Sequence, residues 1–229
     1  MNVSDAYSHW SATYDTDRNL TRDLDQAVTQ RLLAGQRYPV ILELGCGTGK
    51  NTRFLSQIGE RLYAFDFSDG MIAQANVKVP DGSVQFAVAD LTQPWPVADG
   101  CATLSVCNLV LEHISDLAAV FAEAYRVLGQ GGRFFVCELH PFRQYQGKKA
   151  RFVRDGQTIE IPAYVHHFSD FLTAATRTGF HLQRCDEWWH DEDDLTGPPR
   201  LASFLFQKLV VGAFGTGHLP PRSLAPSKL

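Results

Sequence analysis

Val40-Ile41-Leu42-Glu43-Leu44-Gly45-Cys46-Gly47-Thr48-Gly49 is an apolar run that ends in three alternating glycines. Pro39 to Glu43 has the length of a buried strand, and the glycines break it at a turn. Phe54, Leu55 and Ile58 then recur at helical spacing up to Gly59. Strand, glycine turn and helix in that order form the first half of a βαβ unit. Glycine permits positive φ at the turn, and its missing side chain lets a ligand approach the backbone.

The same alternation continues on both sides. Upstream, Asp17 to Ala34 places Leu20, Leu24, Val28 and Leu32 at a four-residue step, an amphipathic helix stopped by Gly35. Downstream, Arg61 to Phe65 reads as a strand, followed by Asp66 and a helix capped by Ser68. Val84 to Val88 is strand-like and leads to Asp90; Ala102 to Cys107 is strand-like and leads to Asn108. A helix over Asp116 to Leu128 buries Leu117, Phe121, Ala124 and Leu128, with Gly129, Gly131 and Gly132 ending it before a strand at Arg133 to Cys137. Ser169 opens a further helix that Gly179 stops, and Phe180 to Trp188 and Ala202 to Val210 are the last two strand candidates. Strands alternating with helices predict an α/β fold with a mostly parallel, doubly wound sheet and helices on both faces.

Length and composition agree with that reading. A chain of 229 residues, 45% hydrophobic and 20% charged, is one large domain or one domain with an appendage. Its net charge of −4 is a poor start for a protein that tracks a phosphate backbone. Met1 to Asp5 carries no basic or apolar signal region, and Leu201 to Phe214 is too short and interrupted to span a bilayer. Cys46, Cys101, Cys107, Cys137 and Cys185 are odd in number and contain no C-x-x-C, which predicts a reducing, cytoplasmic compartment. The expected division is an N-terminal helical lid over 1–35, the main domain over 36–211 with an insertion at about 139–167, and a flexible tail over 212–229.

In an open parallel sheet the glycine turn, Asp66, Asp90 and Asn108 gather along one carboxyl edge, where such folds bind ligands. The glycine spacing is G-x-G-x-G, not the G-x-G-x-x-G of dinucleotide binding. Glu43 beside the turn repels a phosphate and suits an ammonium group. Asp66 stands about 20 residues past the first glycine, the distance at which an acid meets ribose hydroxyls. Asp90 is placed to accept from an adenine amine. Ribose, adenine and an amino-acid ammonium without phosphate describe S-adenosylmethionine.

Val40 to Gly49 resembles the first motif of the class I S-adenosylmethionine-dependent methyltransferases. Tyr63-Ala64-Phe65-Asp66-Phe67-Ser68-Asp69-Gly70-Met71 resembles their acidic-loop motif, and Val88-Ala89-Asp90-Leu91 their adenine motif. Leu109 to His113 and Arg126 to Gly132 match later blocks, so the resemblance runs closely over about 36 to 142. It implies a Rossmann-like seven-stranded sheet whose last strand is antiparallel, and S-adenosylmethionine as cofactor with S-adenosylhomocysteine as product. It also implies cofactor contacts from Glu43, Gly45, Cys46, Gly47, Asp66, Phe67, Met71, Asp90, Leu91 and Asn108. The ribose falls to Asp66, the adenine amine to Asp90, adenine packing to Met71, and the methionine part to the glycine-turn backbone and Asn108.

The acceptor side is read from two aromatic segments. Tyr7, Trp10 and Tyr14 resemble the family's N-terminal lid, and the Leu139 to His167 insertion holds His140, Pro141, Phe142, Tyr145, His166 and His167. His140, just after the fifth strand, and His166 are the candidate catalytic residues, as base or substrate ligand; a capping role is the alternative. His113 matches a family position, with a structural role as the equal alternative. His190 to Asp194 reads as a solvated acidic loop, and no metal is expected. Neither the Asn/Asp-Pro-Pro-aromatic motif of exocyclic-amine enzymes nor the Pro-Cys pair of cytosine-carbon enzymes occurs. The resulting expectation is a cytoplasmic small-molecule methyltransferase, monomeric or homodimeric, with no nucleic-acid or membrane partner. The alternatives are a nucleic-acid or protein methyltransferase and a non-catalytic binder of the cofactor.

Overall fold

The computed structural model describes residues 2–154 and 156–210; the tail expected from 212 lies outside the described residues. In chain order the elements are α1 (Val3–Trp10), α2 (Leu20–Leu33), β1 (Tyr38–Leu44), α3 (Thr52–Ile58), β2 (Gly59–Asp66), α4 (Asp69–Lys78), β3 (Val84–Val88) and β4 (Ala102–Asn108). There follow α5 (Leu117–Val127), β5 (Leu128–Leu139), α6 (Pro141–Tyr145), β6 (Arg151–Arg154), β7 (Gln157–Glu160), α7 (Phe168–Thr178), β8 (Phe180–Trp188) and β9 (Leu201–Lys208).

Seven strands form one sheet in the order β3-β2-β1-β4-β5-β9-β8. Strands β1 to β5 run parallel, while β9 is antiparallel to both β5 and β8. The last strand in the chain is therefore the reversed one, as the family resemblance implies. The order reverses between β1 and β4, so the crevice at their carboxyl ends is the ligand position of such sheets.

Several helices start where a side chain satisfies the orphan amides. Asn19 accepts from Thr21 and Arg22 at the start of α2, Ser68 from Met71 at α4, and Asp116 from Ala118 at α5. Helix α7 stops at Gly179, whose φ of 91° is left-handed. Its first turn begins at Phe168, ahead of Ser169, because the Asp170 carboxylate accepts from the amide of His167 at 2.8 Å.

One face of the sheet is covered by α5 and α7, where Phe121, Phe134, Phe171, Phe180, Phe204 and Phe206 are buried together. Each buried phenyl of this kind contributes about 1.5–3 kcal/mol. The opposite face is covered by α2 and α3 through Leu24, Val28, Leu33, Leu55 and Ile58. Two expectations change. Helix α5 ends at Val127, and the glycines after it lie within β5 rather than stopping the helix. A Cβ on Gly132 would sit 2.8 Å from the Gly129 carbonyl oxygen and one on Gly129 3.3 Å from the Gly100 carbonyl oxygen, so these two serve close backbone approach, while Gly131 takes a left-handed φ of 76°. The insertion also contains a hairpin, β6 with β7, that no alternating apolar pattern announced. Phe152 of that hairpin is buried with Trp10 of α1, ring on ring at 5.3 Å and 15°. This contact ties the N-terminal helix to the insertion.

Candidate functional site

The carboxyl edge carries a cleft of about 370 Å³, within the range of about 300–1,000 Å³ typical of small-molecule sites. Glu43, Gly45, Cys46, Gly47, Asp66, Phe67, Met71, Asp90, Leu91 and Asn108 all line it. The sheet brings them together because each lies at or just after the end of a parallel strand, and those ends share one edge.

The glycine turn is held from below by Asp66. Its Oδ2 accepts from the Gly47 amide and its Oδ1 from the Ser68 amide, both at 2.9 Å. The turn is also pinned to β2, where the Cys46 amide donates to the Phe65 carbonyl at 2.8 Å. Gly45 and Gly47 have φ of 71° and 53°. A Cβ on Gly45 would come within 2.1 Å of Val110 Cγ2, whereas one on Gly47 would meet no atom within 4 Å. Gly45 is thus required by packing, and Gly47 keeps the cleft floor open.

Carboxylates dominate this cleft. Glu43 accepts from the Thr52 hydroxyl at 2.6 Å. Burial, with Asp25 and Asp66 nearby, pushes its carboxyl up to about 8. Asp66 is raised to about 6, again by burial, against the pull of its backbone donors. Asp25 of α2 accepts from Asn51 at 2.7 Å and from Asn108 at 2.8 Å and is raised to about 6 by burial. The amide oxygens of Asn51 and Asn108 remain buried with no partner among the described residues.

That donor set fits S-adenosylmethionine. Three acids suit a ligand carrying sulfonium and ammonium charge and oppose a pyrophosphate. The unpartnered Asn108 oxygen would accept from a ligand donor, and Met71 and Leu91 are buried apolar wall. Arg22, stacked over the Tyr14 ring at 3.9 Å, is the cleft's buried cation and suits a ligand carboxylate.

A second chamber of about 390 Å³ lies against the cleft and shares Tyr7, Tyr14, Arg22 and Leu109 with it as wall. Helix α1 and the β6–β7 insertion cover this chamber. At the boundary the Tyr7 hydroxyl is 2.9 Å from His113 Nε2, and His113 Nδ1 is 2.9 Å from the Pro162 carbonyl oxygen. A carbonyl only accepts, so Nδ1 carries the hydrogen and Nε2 is the acceptor for Tyr7. Burial lowers the basicity of His113 and raises the Tyr7 hydroxyl well above its ordinary range.

His140 and His166 lie elsewhere. His140 caps α6, its Nδ1 accepting from the Phe142 amide at 3.1 Å while Nε2 meets Glu187 at 2.9 Å. His166 Nε2 is 2.8 Å from the Ile114 carbonyl and 3.0 Å from that of Leu111. Neither lines the cleft or the chamber. Position after β5 placed His140 near the edge in sequence terms, but α6 turns its ring toward β8. Arg22 and Asp25 were not anticipated. Their signal was the step of Arg22, Asp25 and Thr29 along α2, a polar face beside the apolar one, all three buried.

Among the described residues, no group of three or more His, Cys, Asp or Glu side chains is gathered to hold a metal ion. No helix of the described residues is long and apolar enough to cross a membrane.

The methyltransferase domain family matches residues 42–136 of the chain. An uncharacterized methyltransferase of Emericella nidulans is 29% identical over 217 residues, covering 78% of this chain and 75% of that protein. A malonyl-[acyl-carrier protein] O-methyltransferase of Serratia marcescens is 34% identical over 133 residues, 57% of this chain; the match spans about half of that relative, 49%. Among solved structures, the N-methyltransferase NodS of Bradyrhizobium japonicum, in complex with S-adenosylhomocysteine, superposes with a TM-score of 0.70 at 16% identity, covering 91% of this chain and 99% of that one.

Proposed function

The chain belongs to the S-adenosylmethionine-dependent methyltransferases, and we propose that it transfers the methyl group to a small organic acceptor bound in the chamber beside the cleft. The observation that carries this reading is the shared wall: Tyr7, Tyr14, Arg22 and Leu109 belong to both cavities. The chamber adjoins the cleft at those four side chains, which must part for an acceptor held there to meet the methyl group. The cover formed by α1 and the insertion leaves room for a small molecule and shields the chamber from a folded macromolecule.

In this reading Asp66 and Asp90 receive the ribose and the adenine amine, and Phe67, Met71 and Leu91 supply apolar contact. Gly45, Cys46 and Gly47 present the turn backbone, and Glu43 and Asn108 face the amino-acid part. Bound there, the cofactor supplies an electrophilic methyl group. The residues of the chain position it against the acceptor, an effect that alone lowers such barriers by many kcal/mol. His113 Nε2, aligned by the Pro162 carbonyl, is placed to receive a proton through the Tyr7 hydroxyl. Tyr7 and Tyr14 exclude water from the junction.

Methyl-labelled cofactor incubated with a panel of small oxygen, nitrogen and sulfur nucleophiles tests the reading, with calorimetry of S-adenosylhomocysteine alongside. Labelled product and micromolar binding, about −8 kcal/mol, are expected. Tighter binding of a nicotinamide dinucleotide, or label passing only to protein or nucleic acid, would overturn it.

A further inference from the structure

The chain has a net charge of −4, yet residues 143–154 contain Arg143, Lys148, Lys149, Arg151 and Arg154 and no acid. The fold gathers most of that charge around the chamber, with Lys148, Lys149 and Arg151 exposed at its rim. Arg22, Arg143, Lys148, Lys149, Arg151 and Arg200 line the chamber, against the two acids Glu112 and Glu160. Some of this charge is already matched. Lys149 pairs with Glu160 at 2.6 Å. Asp193 is shared by Arg200 and Arg143, the latter at 3.3 Å. Arg22 donates only to the carbonyls of Tyr14 and Asp17. Lys148 and Arg151 show no side-chain hydrogen bond or ion pair among the described residues. Glu160 matches one cation, Asp193 one of its two arginines, and an ionised Glu112 one more; three positive charges remain around one cavity.

We propose that the methyl acceptor is an anion, a small organic molecule carrying a carboxylate or phosphate group that Lys148 and Arg151 hold at the chamber's rim. The inference rests on the acceptor reading given above and names its substrate class. Clustered cations repel one another, so a cluster around one cavity is favourable when an anion completes it. The hairpin is also held in place: Phe152, next to Arg151, is stacked on Trp10, so the loop is anchored over the chamber. Glu112 also lines the chamber. Its Oε2 is buried and unpartnered, and burial raises its carboxyl to about 7. A protonated Glu112 donates to a bound carboxylate or phosphate instead of repelling it. The two cavities are thereby charge-separated, acidic on the cofactor side and basic on the acceptor side.

The full chain is titrated calorimetrically with hexanoate, hexyl phosphate and uncharged hexanamide, with and without saturating S-adenosylhomocysteine. At least one anion is expected to bind ten-fold or more tightly than hexanamide, and whichever anion binds more tightly identifies the charged group. That preference should weaken as salt is raised, and the double variant K148Q/R151Q should remove it with S-adenosylhomocysteine affinity and unfolding temperature unchanged. Equal binding of hexanoate, hexyl phosphate and hexanamide, or a preference that survives both salt and the double variant, overturns the proposal. So does binding of an acyl-carrier protein when neither small anion binds. Loss of S-adenosylhomocysteine binding counts against the cofactor reading alone, since the anion titrations without it stand by themselves.

Discussion

Tyr7 and His113 are 106 residues apart in the chain, and a 2.9 Å hydrogen bond joins them at the boundary between the two cavities. The bond couples α1 to the loop after β4. It also brings a hydroxyl and a neutral imidazole to the place where the acceptor reading puts the reaction.

Replacing Tyr7 with Phe removes that hydroxyl and keeps the ring packing. Turnover should fall by about 10²-fold or more if the pair moves a proton. Loss of one net hydrogen bond should cost only about 1 kcal/mol of stability. Kinetics of Y7F, H113A and the double variant check this; additive losses in the cycle would show that the two residues act separately.

The two cleft glycines should respond differently. Gly45→Ala drives a methyl group to 2.1 Å from Val110 Cγ2, an overlap that must move the turn, at a cost of about 1–3 kcal/mol or more. Gly47→Ala meets no atom and bears chiefly the left-handed strain of about 1–2 kcal/mol. Its methyl group narrows the cleft, so S-adenosylhomocysteine affinity should fall with a smaller loss of stability. Unfolding temperatures and calorimetry of both variants give the comparison, and equal destabilisation would contradict it.

Asp66 both lines the cleft and holds the turn, so Asp66→Ala should lower cofactor affinity and stability together. Two buried backbone donors lose their acceptor, and each is worth about 1–3 kcal/mol. An unchanged dissociation constant for S-adenosylhomocysteine would take Asp66 out of the site.

Five buried carboxyls are raised by burial in the ligand-free chain: Glu43 and Glu138 to about 8, Glu112 to about 7, and Asp25 and Asp66 to about 6. In the unfolded chain they return to the ordinary range near 4, about 3.9 for Asp and 4.3 for Glu. Between those values the folded state holds more protons than the unfolded one, so stability falls as pH rises from about 4 to about 8. Scanning calorimetry across that range should show a drop of several degrees; a flat or rising profile would refute the prediction.

His166→Ala should lower the unfolding temperature, because the Ile114 and Leu111 carbonyls lose a buried donor, while the folded enzyme keeps its turnover. A large loss of turnover at unchanged stability would return His166 to the acceptor site.

Much of this arrangement was legible in one dimension. The apolar run into Gly45-x-Gly-x-Gly49 and the polar groups after successive strands placed the glycine turn, Glu43, Asp66, Asp90 and Asn108, because a parallel sheet delivers every strand end to the same edge. Cys46, Phe67, Met71 and Leu91 followed the family resemblance. Strand order and the reversed last strand followed the family resemblance, and β9 lies between β5 and β8 as that implies. The hairpin at 151–160 was not legible: its strands are four residues each and largely exposed, so no apolar alternation marks them.

Local pattern was sufficient for the alternating strand–helix order, the glycine turn and the cluster of polar groups at one sheet edge. These depend on periodicity and on the residue types that end each strand. Packing between distant segments settled which histidine faces the cavities. His113, His140 and His166 all sit in loops or at element ends. They are separated by the partner each ring finds across 47 to 106 residues of chain: Tyr7 for His113, Glu187 for His140, and the Leu111 and Ile114 carbonyls for His166. The same holds for the basic run at 143–154, which the stacking of Phe152 on Trp10 sets over the chamber. Such contacts depend on how the layers pack, and local spacing carries no record of them.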